Sequence, residues 1–209
     1  MFDTCTETAT LALFQGSALL EEIFLPPRAA STALLEMTRT LLQSHNRFLA
    51  QLEAVGVVSG PGSFTGVRIG LAAAKGICEA AAKPLAAVSR LEVLADAAQI
   101  PDGIVLLSAG RDQVYARELG SDERPREWLS SLGELKSLLP EKTVVVGSPE
   151  LTEVLTRSGI EVRFQEISAR HAITAVQRCL GWGGSDVVTA DANYVRNEAA
   201  IYAKSAASR

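Results

Sequence analysis

The sequence predicts an α/β protein built from two similar units in tandem, each a mixed β-sheet with helices against its faces. Three observations carry this. Strand-length apolar runs recur beside segments of helical periodicity along the whole chain. The same order of elements occurs twice, about 100 residues apart, as duplication of one α/β unit would leave it. Each half opens with consecutive strand patterns joined by short turns and then alternates strand with helix, which calls for antiparallel and parallel pairing in one sheet.

Taken in order, residues 1–3 read as the remnant of a first strand, and 8–14 and 18–24 as strands around the turn Gln15-Gly16-Ser17. A helix follows over 31–44, a strand over 54–58, a helix of small residues over 65–82 and a strand over 85–88. Ser89 with Glu92 has capping-box spacing, in which hydroxyl and carboxylate each take an orphan amide, so another helix starts there. Pro101-Asp102-Gly103 breaks the pattern. Strands are then expected over 104–108 and 113–119, with a weaker one over 126–129. Ser131 with Glu134 repeats the capping box before a short helix. Residues 143–146 form a strand, Ser148-Pro149 opens a helix that ends near Gly159, 162–167 is a strand, and Ser168 opens a last long helix to Leu180. Each half therefore runs β-β-β-α-β-α-β-α. That order belongs to ribonuclease-H-like units, and two in tandem make the actin-like architecture, with lobes over 1–100 and 101–209 and the C-terminal tail packing back on the first. A single doubly wound sheet is the alternative.

The chain has 209 residues, 47% apolar and 21% charged, and a net charge of −4. These proportions suit a folded globular chain and exclude disorder or collagen-like repeats. No apolar run is long enough to span a bilayer, and Asp3 and Glu7 stand where a signal peptide would be basic and then apolar, so a cytoplasmic location is expected. Cys5, Cys78 and Cys179 form no C-x-x-C pair, and His45 and His171 are the only histidines, so neither a disulfide framework nor a His-rich zinc site is indicated. An acidic chain is poorly suited to neutralising phosphates alone. Only Met1-Phe2 precede the Asp3 turn, where an inner strand normally has about five residues, so the first strand is short or translation starts upstream.

Between a strand and a helix lies Ser59-Gly60-Pro61-Gly62-Ser63-Phe64-Thr65-Gly66-Val67-Arg68. The glycines permit close backbone approach and a helix N-terminus attracts anions, yet the spacing fits neither a Walker loop, nor G-x-G-x-x-G, nor a nucleophile elbow. A plain tight turn and an anion-binding loop both remain open. On the helix that follows, Arg68, Lys75 and Glu79 share one arc, Gly66, Gly70, Ala73, Ala80 and Ala81 a second, and Val67, Leu71 and Cys78 a third. A helix apolar nearly all round is covered on more than one side. The first helix is similar, since Leu34, Leu35, Met37, Thr38, Leu41 and Leu42 span more than one core-facing stripe. The two readings are a thick core and a partner-binding surface. The candidate surface comprises Ser31, Leu34, Met37, Thr38 and Leu41 on the first helix, and Gly66, Gly70, Ala73, Ala74 and Ile77 on the second.

The string SGPGSFTGVRIGL resembles the signature of the bacterial tRNA threonylcarbamoyladenosine biosynthesis family TsaB, also called YeaZ. Supporting pieces extend along most of the chain: Asp3-Thr4-Cys5-Thr6 after the first strand, Ser31 with Leu34-Leu35 at a helix start, Pro84 to Glu92, and Tyr194-Val195-Arg196 near the end. The resemblance implies the actin-like fold and a part in making N6-threonylcarbamoyladenosine beside the anticodon of tRNAs that read codons starting with A. It implies a non-catalytic scaffold, paired through the two N-lobe helices with a TsaD homologue that carries the metal and the transfer chemistry, joined by the ATPase TsaE, with a homodimer as a further form. ATP and Mg²⁺ would be handled by the partners, this chain holding no metal or tight cofactor, and tRNA would be met only through the complex. The family's old glycoprotease label finds no support, for no H-E-x-x-H is present. The resemblance also makes Asp3, Thr4 and Thr6, and Ser108, Ala109, Gly110 and Arg111, remnants of two nucleotide-phosphate turns. Departures bear on this: Ala30 replaces a usual histidine, Ser108 replaces the second turn's carboxylate, and Gln113 replaces a glutamate. A competing reading is an enzyme of the actin-like fold acting on a nucleotide or sugar phosphate.

Overall fold

A computed structural model describes residues 1–120, 126–136, 139, 142–193 and 195. The chain divides into two units, one of Met1–Asp96 with Ile167–Asn193, the other taking Ala97–Glu166.

In the first unit five strands, β1 (Phe2–Asp3), β2 (Thr10–Gln15), β3 (Ala18–Phe24), β4 (Val55–Val58) and β5 (Leu85–Val88), lie in the order β3-β2-β1-β4-β5. β2 pairs antiparallel with β1 and β3, joined to β3 by the expected turn, while β1, β4 and β5 are parallel. The helices α1 (Ala30–Ser44) and α2 (Phe64–Ala81) fill the connections from β3 to β4 and from β4 to β5, and α3 (Arg90–Ala98) follows β5. Side-chain alternation divides the sheet. Leu11, Val55, Val57 and Leu85 join Leu34 and Leu41 of α1 and Leu71, Ala74, Ile77 and Cys78 of α2 in one core. At the start of β1 a cavity of about 380 Å³ lies among Leu13, Leu42, Leu52, Val55 and Leu180, and burial lowers the Met1 amine to about 5.

The second unit has five strands, β6 (Gly103–Ser108), β7 (Gln113–Leu119), β8 (Glu127–Ser131), β9 (Val144–Val146) and β10 (Arg163–Phe164), in the order β10-β9-β6-β7-β8, with α4 (Leu132–Lys136) and α5 (Pro149–Arg157). Strand order and pairing senses repeat those of the first sheet. The core joins Ile104 and Leu106 to Leu132, Leu135, Leu151 and Leu155.

Four expectations change. The run 162–167 yields only the short β10. The last helix starts as a 3-10 turn, Ala169–Ala172, and becomes α6 (Ile173–Gly181), and this segment groups with the first unit rather than the second. Arg178 on α6 binds Glu92 at 2.5 Å and Asp96 at 2.9 Å on α3, the amide of Ala169 donates to Thr10 Oγ1, and Val176 lies so close to Gly56 that β4 has no room there for a side chain. Glu92 is thereby drawn from its capping box: the Leu91 amide donates to Ser89 Oγ, but the carboxylate belongs to Arg178. The Ser131–Glu134 box closes in both directions, and the Ser131 hydroxyl and amide hold the Glu134 carboxyl below its ordinary range.

Candidate partner face and strand-end turn

Three turns meet at the carboxyl ends of β1, β4 and β5, where open α/β sheets offer a binding crevice. Residues 4–6 follow β1, the signature loop 59–63 follows β4 and Ser89 follows β5. Here the first turn, the signature loop and the start of α2 bind one another. The Ser63 amide donates to the Cys5 carbonyl at 2.7 Å, Thr4 Oγ1 donates to the Gly66 carbonyl at 2.7 Å, and Ser63 Oγ caps α2 by accepting from the Gly66 amide. Gly62, Gly66 and Gly70 are four residues apart, and a Cβ on any of them would collide with Cys5 or Thr4: Gly62 with Cys5, Gly66 with the Thr4 carbonyl, Gly70 with the Thr4 hydroxyl. The signature spacing thus follows from laying one helix directly on one turn. The bond between Gly60 and Pro61 is cis, and the Gly60 carbonyl accepts from the Arg90 amide at 2.6 Å.

Of the expected first phosphate turn, Asp3 and Thr4 are buried, Thr4 against α2, and only Thr6 is exposed. The Asp3 carboxylate accepts from the Cys5 amide at 2.9 Å and lies 3.8 Å from Arg90 Nε. Burial, then the Asp3 charge, pushes the Cys5 thiol well above its ordinary range, which removes it as a nucleophile at neutral pH. In the second unit Ser108, Ala109, Gly110 and Arg111 form the β6–β7 hairpin turn. The Ser108 hydroxyl accepts from the Gly110 amide, its amide donates to Ser148 Oγ at 2.9 Å, and Arg111 has a positive φ of 52°. Among the described residues no group of three or more His, Cys, Asp or Glu could hold a metal ion, and no helix is long and apolar enough to cross a membrane.

The candidate surface is redistributed. Leu34, Leu41, Ala74 and Ile77 belong to the core, and Gly70 is buried against Thr4. Ser31 stays exposed, and Met37, Thr38, Gly66 and Ala73 are half-buried. The outer ridge of α2 is instead formed by Ala72, Gly76 and Ala80, all exposed, with Gly76 open to space, and α1 adds Leu35 at 59% exposure. Phe64, at the start of α2, is also exposed, with the Arg68 guanidinium carbon 3.6 Å above its ring. Small residues on α2 serve two stripes, one inside and one outside. The sequence projection placed Ala80 of the outer stripe beside Gly66 and Gly70 of the inner one and left Ala72 and Gly76 out, because glycine and alanine do not say which side they face. Tyr194 and Arg196 of the expected C-terminal motif lie outside the described residues.

A family model described as TsaD: tRNA N6-adenosine threonylcarbamoyltransferase matches residues 25–197. The chain belongs to the TsaD family. It is 34% identical over 125 residues to the tRNA threonylcarbamoyladenosine biosynthesis protein TsaB of Escherichia coli, covering 58% of this chain and 54% of that one. It is also 34% identical over 149 residues to a tRNA N6-adenosine threonylcarbamoyltransferase of Rhizobium etli, covering 66% and 40%. The chain thus spans about half the length of these curated relatives. Among solved structures, a Pseudomonas aeruginosa protein described as similar to peptidase YEAZ superposes with a TM-score of 0.73 at 22% identity, covering 93% of this chain and 97% of that one. The two mixed five-stranded sheets are those of the actin-like fold, as the TsaD-family match and this likeness agree.

Proposed function

We propose that this chain is a non-catalytic, cytoplasmic subunit in the formation of N6-threonylcarbamoyladenosine in tRNA. It pairs with a TsaD homologue that performs the transfer, alongside the ATPase TsaE, and meets tRNA only through the complex. ATP and Mg²⁺ belong to the partners. The observation that carries the reading is the combination of TsaD-family membership with a signature helix laid directly on the chain's own Thr4–Cys5 turn. What supports an assembly role is the exposed ridge Leu35, Ala72, Gly76 and Ala80, where small side chains allow a second helix to approach closely. The same ridge supports a homodimer when the partner is absent.

Co-purification of the full chain with its own organism's TsaD homologue tests this. A stable complex is expected, lost on Gly76→Leu or Leu35→Asp, with Gly76→Leu melting no lower than wild type because its side chain meets open space on the helix. Threonylcarbamoyladenosine formed from threonylcarbamoyl-adenylate by this chain alone would refute the non-catalytic reading. Mg·ATP turnover by the isolated chain would favour the competing enzyme.

A further inference from the structure

Asp3 and Arg90 are the only charged residues buried as whole residues among those described, at 3% and 7% exposure. Asp3 ends β1 and Arg90 begins α3 after β5, so the Arg90 side chain spans the width of β4 to approach Asp3. Two strand spacings are close to 10 Å, within the combined reach of an arginine and an aspartate and long for a shorter cation. Arg90 Nε is buried without a hydrogen-bond partner, 3.8 Å from the Asp3 carboxylate, so charge and packing rather than a hydrogen bond hold the pair. The other Asp3 oxygen accepts from the Cys5 amide, the Cys5 carbonyl accepts from the Ser63 amide, and Ser63 Oγ caps α2. The Arg90 amide meanwhile holds the Gly60 carbonyl.

We propose that Arg90 is a built-in counter-ion and positioning residue. It neutralises Asp3 from within the first unit, as a bound cation would at a nucleotide turn, and the relay through Cys5 and Ser63 sets the first turn of α2 and hence the ridge. Its effect on a partner rests on the proposed assembly role; its effect on the relay does not. Removing Arg90 alone leaves a buried carboxylate without compensation, whereas removing both charges leaves a neutral, packed turn.

Amide hydrogen exchange on full-length variants tests this. Arg90→Met is expected to speed exchange at Cys5, Ser63 and Gly66 by about tenfold or more, with the β6–β7 amides unchanged. Asp3→Asn with Arg90→Met should bring these amides back to within about threefold of wild type, and Arg90→Lys should fall between. Wild-type exchange in Arg90→Met, or a double variant no better than the single, overturns the proposal, the second outcome because packing alone would then be at work. Should Arg90→Met fail to fold, the double variant decides: folding supports the counter-ion and failure overturns it. Association of Arg90→Met with the TsaD homologue should weaken by about tenfold; unchanged association despite faster exchange overturns the link to the ridge. A wild-type chain that does not associate at all refutes the proposed function and leaves the exchange result standing.

Discussion

Gly66→Ala probes the closest contact in the signature helix. The added Cβ would run into the Thr4 carbonyl oxygen, which is main chain on a residue with no exposure, fixed by bonds from Thr4 Oγ1 to Gly66 and from the Ser63 amide to the adjoining Cys5. Neither side can swing away, so the cost is that of overpacking a rigid core, about 1–3 kcal/mol. Replacing glycine by alanine in a helix returns about 1 kcal/mol, so Gly66→Ala should end neutral to clearly destabilised. Gly76→Ala supplies the control on the same helix: its Cβ meets nothing, so the propensity gain stands alone. The two variants should therefore differ by about 1–3 kcal/mol, or on the order of 2–12 °C in Tm for a chain of this size. Differential scanning calorimetry at neutral pH reads this directly. Gly66→Ala melting at or above Gly76→Ala would refute the assignment of the inner stripe to Thr4.

Gly70→Leu should destabilise the monomer before it affects assembly, because its side chain would displace Thr4; thermal melting beside size-exclusion with the partner orders the two effects. Arg178→Met should cost about 1.5–3 kcal/mol by breaking charged hydrogen bonds to Glu92 and Asp96, and Arg178→Lys should recover only part of it, as calorimetry can show. The Thr189 and Val188 amides hold the Asp186 carboxyl below its ordinary range, so its contribution is complete above the unfolded pKa, about 3.9, and is lost as pH falls through the lower folded value. Asp186→Asn should flatten that acid limb in a series of melts from about pH 6 to about pH 2. With a net charge of −4, the isolated chain should bind tRNA only weakly at physiological salt, and a sub-micromolar gel shift would contradict this.

Local signals were legible where they act alone. Periodicity and turn residues placed β3, β5 and β7 at their observed bounds, and the Ser131–Glu134 box forms as its spacing demands. Sequence reading failed where a distant residue intervened. Glu92 has the spacing of a cap and serves Arg178, 86 positions away. Gly66 and Gly70 look available for a partner helix, but the occupant is Thr4, a residue that periodicity on α2 cannot reveal. Leu34 and Leu41 carry the interface expectation on apolar character, yet the same character suits the core between α1 and the sheet, and only Leu35 is turned outward. Arg90 gave no signal at all, since a charge at the first position of a helix ordinarily faces water.

The return of α6 to the first unit has a consequence in time. During synthesis the ribosome delivers β1 to α3 first and α6 only after roughly 80 further residues, about 4–16 s at ordinary bacterial rates. Through that interval one face of the first sheet, with Val58, Ala86 and Val88 beside Gly56, lacks the helix that will cover it, and the carboxylates of Glu92 and Asp96 wait for Arg178. Until residues 167–193 have been made, the first unit has α3 but not α6 on that face, so part of its apolar surface waits for a segment that follows the whole of the second unit's sheet.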